Sequence, residues 1–314
     1  MDSFIFSLNA TVPIFLVMVL GYILKQIGMF TEEFCSVANK YVFQVALPVL
    51  LFRDIAATDL YADFKGSFVI YCAGVTIIMF LGIWFLAAKF MPDKTMVGAF
   101  VQGSARSSVA VLGIAFVQNI YGDPGLTPLM IVSAVPLFNI FSVVILTFSA
   151  GGGQHDKAAI KRAFINVCKN PIILGILAGV PFSLLQITLP SIPAKVVESI
   201  SSTATPIALL CVGAGFEGTK ALAKLRPTIW ATAIKLLILP AVFLPLAAAL
   251  GFQGAEMVAV VVMLGSPTTV TSYIMAKNMG NDAELSSSIV VLTTLLSSIT
   301  LTGWIFLLRT LQMI

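Results

Sequence analysis

Long apolar runs separated by short polar connections are the dominant pattern of this chain. Each run is close to the roughly 20 residues that a helix needs to cross a bilayer core of about 30 Å. The pattern predicts ten membrane-spanning helices and hence an all-α integral membrane protein that lies in the lipid bilayer. The predicted spans are 8–27, 35–57, 66–89, 95–119, 125–148, 165–187, 194–215, 227–250, 256–277 and 286–311.

Two of these runs carry the same kind of interruption. The fourth contains Gly103-Ser104-Ala105-Arg106-Ser107-Ser108, and the ninth contains Gly265-Ser266-Pro267-Thr268-Thr269. Small, polar and helix-breaking residues leave backbone groups unpaired, which is tolerated at membrane depth only inside protein or beside a water-filled cavity. Paired breaks in corresponding positions of two halves are typical of a transporter's binding site.

A glycine-rich connection over residues 150–163 separates the fifth and sixth predicted spans. It divides the chain into two sets of five, residues 1–149 and 164–314, joined by a cytoplasmic linker. Because each set holds an odd number of spans, the two sets face opposite ways across the membrane. The sequence therefore predicts a 5+5 inverted repeat whose broken fourth and ninth helices cross.

The charges give the orientation. Only 10% of the residues are charged, against about 25% in soluble domains. Twelve of the 18 Lys and Arg residues lie in or beside loops that follow odd-numbered spans, and four lie on the other side. The positive-inside rule then predicts a multi-pass protein of the cell (inner) membrane with both termini on the non-cytoplasmic side. This bias accounts for the net charge of +4 without a nucleic-acid partner.

The sequence contains few reactive side chains that could serve in catalysis. The four cysteines are scattered without metal-binding spacing, and His155 lies in a polar loop. No catalytic or metal-ligating group is predicted from these residues. We expect neither an enzymatic activity nor a bound cofactor.

Arg106 is the most informative single residue. An arginine at bilayer depth costs roughly 2.5–3.5 kcal/mol even on the insertion scale. Its guanidinium binds a carboxylate through two parallel hydrogen bonds, and a half-helix that starts at a break offers a partial positive charge. The acidic residues, Asp54, Glu217 and Glu256 among them, fall at span ends and in loops. This combination favours an anionic substrate, although Arg106 is equally able to clamp free carbonyls of the ninth span.

Polar and helix-breaking residues at the breaks and in mid-span are the candidate substrate contacts. They are Gln44, Gly103, Ser104, Arg106, Ser107, Ser108, Asn139, Gly265, Ser266, Pro267, Thr268, Thr269 and Tyr273. Helix–helix hydrogen bonding is the alternative for Gln44 and Asn139, and packing is the alternative for Tyr273. Lys235, within the eighth span, is expected to extend its amine to the cytoplasmic face.

The two interrupted segments resemble those of bacterial permeases of the auxin efflux carrier family. The matching runs are 102–108, 112–115, 121–125, 265–277 and 280–285. Two positions depart from the family pattern, because Ser108 stands where many members have Asn and Ala115 where many have Pro. The resemblance is specific in these segments and extends over the chain in the number and spacing of spans.

The resemblance implies a secondary transporter of organic anions, related to plant PIN auxin exporters, with a fold like bile-acid sodium symporters and sodium/proton antiporters. It further implies an elevator-type transport domain of helices 3–5 and 8–10, and a scaffold of helices 1, 2, 6 and 7 that forms a homodimer. Because the central linker is short, mono- or dicarboxylates of the malate or malonate kind are expected rather than auxin.

The expected activity is movement of a small organic anion by alternating access. Coupling to sodium, to protons or to neither ion stays open at this point. The alternative is a cation exchanger of similar fold, which needs a membrane-embedded carboxylate that binds and releases the ion. The sequence predicts no such carboxylate near either break.

Overall fold

The computed structural model describes residues 2–57, 65–109, 116–117, 120–121, 125–150, 165, 167–216 and 224–314. Regular structure in these ranges is helical. The main helices of these ranges are α1 (Asp2–Gln26), α2 (Glu32–Ala56), α3 (Gly66–Phe90), α4 (Val97–Ala105), α5 (Thr127–Ser149), α6 (Pro171–Leu184), α7 (Ser191–Ala214), α8 (Leu225–Ala249), α9 (Ala255–Gly265), α10 (Thr271–Asn278) and α11 (Ala283–Thr310).

Six of these helices, α2, α3, α5, α7, α8 and α11, are long and apolar enough to cross a membrane. Shorter apolar helices are Val12–Gln26 within α1, together with α6 and α9. The chain is therefore a multi-pass helical membrane protein. The predicted linker, beyond Ala150, and the predicted family run 112–115 lie outside the described residues, so the ten-span count stays a prediction.

Two long helices contain a π-helical turn. The turn spans Val42–Ala46 in α2 and Ile234–Ile238 in α8. A proline follows each turn, Pro48 in α2 and Pro240 in α8. Because proline has no backbone N–H to donate, a locally wider turn accommodates it, and such turns change which way the neighbouring side chains point. Gln44 and Lys235 both lie within these turns.

Glycines bring two pairs of helices into close contact. A Cβ atom at Gly213 of α7 would overlap the carbonyl oxygen of Met18 in α1. In the second pair, a Cβ atom at Gly175 of α6 would overlap the carbonyl oxygen of Pro48 in α2. Small residues at such contacts let membrane helices approach through their backbones, where dispersion forces are strongest. The pairs α1–α7 and α2–α6 are therefore tightly packed.

The buried apolar residues form two clusters. One joins α3, α4, α5, α8, α9 and α11, with Phe80, Phe138 and Met263 among its members. The other joins α1, α2, α6, α7 and α10, with contributions from α5 and α11. Helices α4 and α9 lie deepest, since every residue of α4 and all of α9 from Met257 onward are buried. The interrupted segments are therefore enclosed by other helices.

Candidate functional site

The two predicted interruptions have the same local geometry. Helix α4 ends at Ala105 and helix α9 at Gly265, and the next residue in each case is extended, with φ −74° and ψ 141° at Arg106 and φ −71° and ψ 157° at Ser266. Helix α10 begins at Thr271, after four further non-helical residues. At 1.5 Å per residue, α4 and α9 are about 14 and 16 Å long, or half of a bilayer core.

The interruptions contact each other directly. The backbone N–H of Ser108 donates to the carbonyl of Pro267 over 3.0 Å. The hydroxyl of Thr268 donates to the carbonyl of Gly103 in the last turn of α4, and the hydroxyl of Ser107 donates to that of Met263 in the last turn of α9. Each break thus supplies a hydroxyl for a carbonyl that the other break has freed. This exchange lowers the cost of breaking two buried helices.

The Arg106 side chain is 5% exposed. Its Nη2 donates to Oδ1 of Asn139 over 2.7 Å, and its Nη1 approaches the Oγ of Ser142 at 3.4 Å and the Sδ of Met275 at 3.0 Å. Its buried Nε has no partner among the described residues, and no carboxylate of that part of the chain contacts the guanidinium. A buried cation with neutral partners and a spare donor is incompletely satisfied.

A cavity of about 170 Å³ lies beside the two interruptions and between the apolar clusters. It reaches the start of α10, where backbone N–H groups carry a partial positive charge. The Thr269 hydroxyl on its wall is buried and has no partner among the described residues. The polar and charged residues that line it are Asp54, Arg106, Ser107, Ser108, Asn139, Thr205, Thr268, Thr269, Thr271 and Thr294.

The cavity brings together seven of the predicted substrate contacts. They are Arg106, Ser107, Ser108, Asn139, Pro267, Thr268 and Thr269. Gly103, Ser104, Gly265 and Ser266 lie in the interrupted segments but not on the cavity wall.

Gln44 and Tyr273 are placed elsewhere. Gln44 is exposed on the π-helical turn of α2. Tyr273 is buried against Gly215, and its hydroxyl accepts a hydrogen bond from Lys277. Neither residue lines the described cavity.

One sequence expectation about carboxylates is wrong. Asp54 was expected at a peripheral span end, but its helix carries it to the cavity that Arg106 lines. Arg53 pairs with it, with Nη2 and Nε 2.8 and 3.1 Å from Oδ1. Thr205 and Thr294 also line the cavity without having been predicted. Only Thr205 carried a signal, since it precedes a proline within the seventh apolar run.

The expectation for Lys235 is also wrong. Its side chain is fully buried rather than extended toward the membrane surface. The ammonium donates to the carbonyl of Leu264 over 2.6 Å and to the hydroxyl of Ser107. The π-helical turn that holds Lys235 aims its stem at the end of α9. Lys235, rather than Arg106, is therefore the cation that binds a free carbonyl at the end of α9.

These observations define a class: a multi-pass helical membrane protein in which two buried helix interruptions meet beside a polar cavity, as in membrane transporters. The chain belongs to the membrane transport protein family, whose model matches residues 6–305. It is therefore a membrane transporter rather than an enzyme.

Several relatives show where the chain lies in this family. It is 24% identical to the "Putative malonate transporter" of Rhizobium meliloti, over 95% of this chain and 94% of the relative. It is 22% identical to an uncharacterized transporter of Methanothermobacter thermautotrophicus, over 96% of this chain and 98% of the relative. It is 29% identical to auxin efflux carrier component 2 of Arabidopsis thaliana over 37% of this chain and 18% of that longer protein.

Proposed function

We propose that this transporter carries a small dicarboxylate of the malonate class, with Arg106 as the residue that holds a carboxylate. The buried, incompletely bonded guanidinium on the cavity wall carries the proposal. A carboxylate at this position accepts the spare Nε–H and lies near the positive end of α10. Both interactions strengthen in a water-poor site.

The charge and the size of the cavity agree with a small anion. Arg53 pairs with Asp54, whereas Arg106 has no carboxylate partner among the described residues, so its positive charge on the wall is uncompensated there. A volume of about 170 Å³ suits an acid of a few carbons, because sites for drug-sized ligands are about 300–1,000 Å³. The full-length relative with malonate in its name supports this class of substrate.

An inverted repeat of five helices accounts for the packing. Such a repeat exchanges the first helix with the sixth and the second with the seventh, so it relates the pair α1–α7 to the pair α6–α2. Both pairs are joined by glycines. The exchange of hydroxyl groups between the two breaks has the same reciprocal character.

The two apolar clusters support the proposed division into a transport domain and a scaffold. The cluster of α3, α4, α5, α8, α9 and α11 agrees with a transport domain. The other cluster centres on α1, α2, α6 and α7, the proposed dimer-forming scaffold, and α10 of the transport domain packs against it. Substrate binding between them, followed by a shift of one domain against the other, gives alternating access. We place the protein in the cell (inner) membrane with both termini on the non-cytoplasmic side, as the lysine and arginine distribution favours.

The test is uptake of radiolabelled malonate into proteoliposomes. Substituting Arg106→Ala is expected to lower uptake at least about 100-fold, equivalent to about 2.7 kcal/mol of lost interaction. Malonate is expected to raise the Tm of the unchanged protein in detergent but not that of the variant. Arg226→Ala, which removes an exposed arginine at the start of α8, is the matched control and should leave both measurements unchanged. Uptake within twofold of normal in Arg106→Ala would refute the proposal.

A cation exchanger of similar fold is the second candidate, and Asp54 on the cavity wall is the observation that favours it. A proton-sensitive dye inside proteoliposomes distinguishes the two. An exchanger moves protons when a sodium gradient is applied without any carboxylate, and Asp54→Asn stops it. The proposed carrier gives no signal under that condition.

A further inference from the structure

Lys235 has an unusual environment for a charged side chain. It is fully buried, and among the described residues no carboxylate forms an ion pair with it. An isolated ammonium in such a place is expensive unless something with negative character offsets it. Extending the amine to the membrane surface, as the sequence predicted, would have let water solvate it, but the side chain stays inside the protein.

The negative character comes from the end of α9. The last carbonyls of a helix have no partner within the helix and together carry about half a negative charge. Here the Leu264 carbonyl accepts the Lys235 ammonium over 2.6 Å, and the Ser107 hydroxyl, which bonds the Met263 carbonyl, is its second contact. The ammonium therefore lies among oxygen atoms of two broken helices.

These carbonyl and hydroxyl oxygens are ligands of the kind that a sodium ion binds. Unwound backbone carbonyls and the C-terminal ends of half-helices coordinate coupling cations in secondary transporters. Hard cations such as sodium are bound through oxygen ligands of this kind. In this chain one positive charge is already present at that position, and it is covalently attached to α8.

We propose that the Lys235 ammonium is a tethered cation that occupies the place of a coupling sodium ion at the end of α9. It screens the carbonyl ends and holds the two interruptions together through Ser107. The inference concerns the coupling of the proposed carrier, but it requires neither a substrate nor transport to be tested. It follows that replacing sodium with choline does not slow malonate uptake by the unchanged protein.

The test is a Tm measurement in detergent without substrate, at constant ionic strength, in choline, sodium or methylammonium chloride. The unchanged protein should give the same Tm in all three salts. Lys235→Ala should have a lower Tm in choline and regain about 2 °C or more in sodium or methylammonium, because a cation then binds the vacated oxygens. Adding Ser107→Ala to this variant should abolish the gain. Lys235→Met, whose side chain fills the space without a charge, should show the loss without the recovery.

Three outcomes would overturn the proposal. The first is a sodium-dependent rise in the Tm of the unchanged protein that Ser107→Ala removes. The second is a Lys235→Ala variant whose Tm responds to no cation. The third is failure to recover folded Lys235→Ala in any of the three salts, since sodium or methylammonium should restore it. Loss of malonate binding in Arg106→Ala is a separate measurement, so the proposed function and this inference can fail independently.

Discussion

The two helix interruptions have nearly the same backbone and very different charges. The first contributes Arg106, which lines the cavity and leaves Nε unbonded. The second contains no charged residue, and its cation is Lys235 from α8, which binds a backbone carbonyl. The Lys235 ammonium is bound by a backbone carbonyl and a hydroxyl, whereas Arg106 lines the cavity and keeps an N–H without a partner among the described residues. The difference separates a cation that contacts the backbone from the cation proposed to bind the substrate.

The largest effect on uptake is expected when Arg106 is given a carboxylate partner within the protein. In Asn139→Asp, the oxygen that accepts from Nη2 at 2.7 Å becomes charged and neutralises the guanidinium. Malonate uptake should fall about 100-fold, while the Tm stays the same or rises because the buried cation gains a partner. Ser142→Ala, which removes only the 3.4 Å contact, is the control and should change uptake less than threefold. Normal uptake in Asn139→Asp would show that Arg106 does not act through its charge.

The reciprocal hydroxyl bonds are expected to have an intermediate effect, measured as loss of stability in detergent. Ser107→Ala removes the bond to the Met263 carbonyl and a contact of Lys235, whereas Thr268→Val removes only the bond to the Gly103 carbonyl. Each leaves a buried carbonyl unpaired, at a cost of about 1–3 kcal/mol. Ser107→Ala should lower the Tm more than Thr268→Val does.

Ser104→Ala is the matched control for these hydroxyls. Its hydroxyl bonds only the Phe100 carbonyl within α4, so the change should stay within about 0.5 kcal/mol. If Thr268→Val lowers the Tm more than Ser107→Ala does, the contact of Ser107 with Lys235 does not contribute to stability as expected.

Gly103, in the last turn of α4, and Gly265, the last residue of α9, are expected to show the smallest difference. A Cβ at Gly103 would lie 2.8 Å from Cδ1 of Ile289, whereas one at Gly265 would lie 3.3 Å from Cγ of Pro240. Gly103→Ala is therefore expected to cost about 1 kcal/mol or slightly more from overpacking. Gly265→Ala should be close to neutral. Adding Ile289→Val, which removes Cδ1 but keeps Cγ2 at 3.0 Å from the added Cβ, should restore part of the Tm of Gly103→Ala. No recovery at all would show that the Cδ1 contact is not the cause of the loss.

The helices themselves follow closely from the sequence. The predicted third span, 66–89, corresponds to Gly66–Phe90, and α9 ends at Gly265 where the second interruption begins. Length and apolarity determine which segments enter a bilayer, because each unpaired backbone group in hydrocarbon is expensive. The Gly-Ser and Pro-Thr-Thr interruptions stand out in the sequence because they place small, polar and helix-breaking residues inside otherwise apolar runs.

The residues of the site follow only in part. Arg106 and the hydroxyl residues Ser107, Ser108, Thr268 and Thr269 were predicted and line the cavity, because a charge or a break in an apolar run is visible in the sequence. Asp54, Thr205 and Thr294 were not, because their place on the cavity wall depends on the rotation and neighbours of α2, α7 and α11. Gln44 lies off the described cavity wall, since its polarity gives no information about which face of α2 it occupies, and its contact with substrate stays a prediction.

The sequence alone thus determined that this protein is helical, that it spans a membrane, and that two of its helices break at small and polar residues. Tertiary structure alone decided which of the two buried cations binds the backbone and which lines the cavity. The reason is that hydrophobicity along the chain sets how deep a residue lies in the bilayer. The direction of its side chain, and the carbonyls and amides within its reach, depend on contacts between helices distant in sequence, such as α8 with α9.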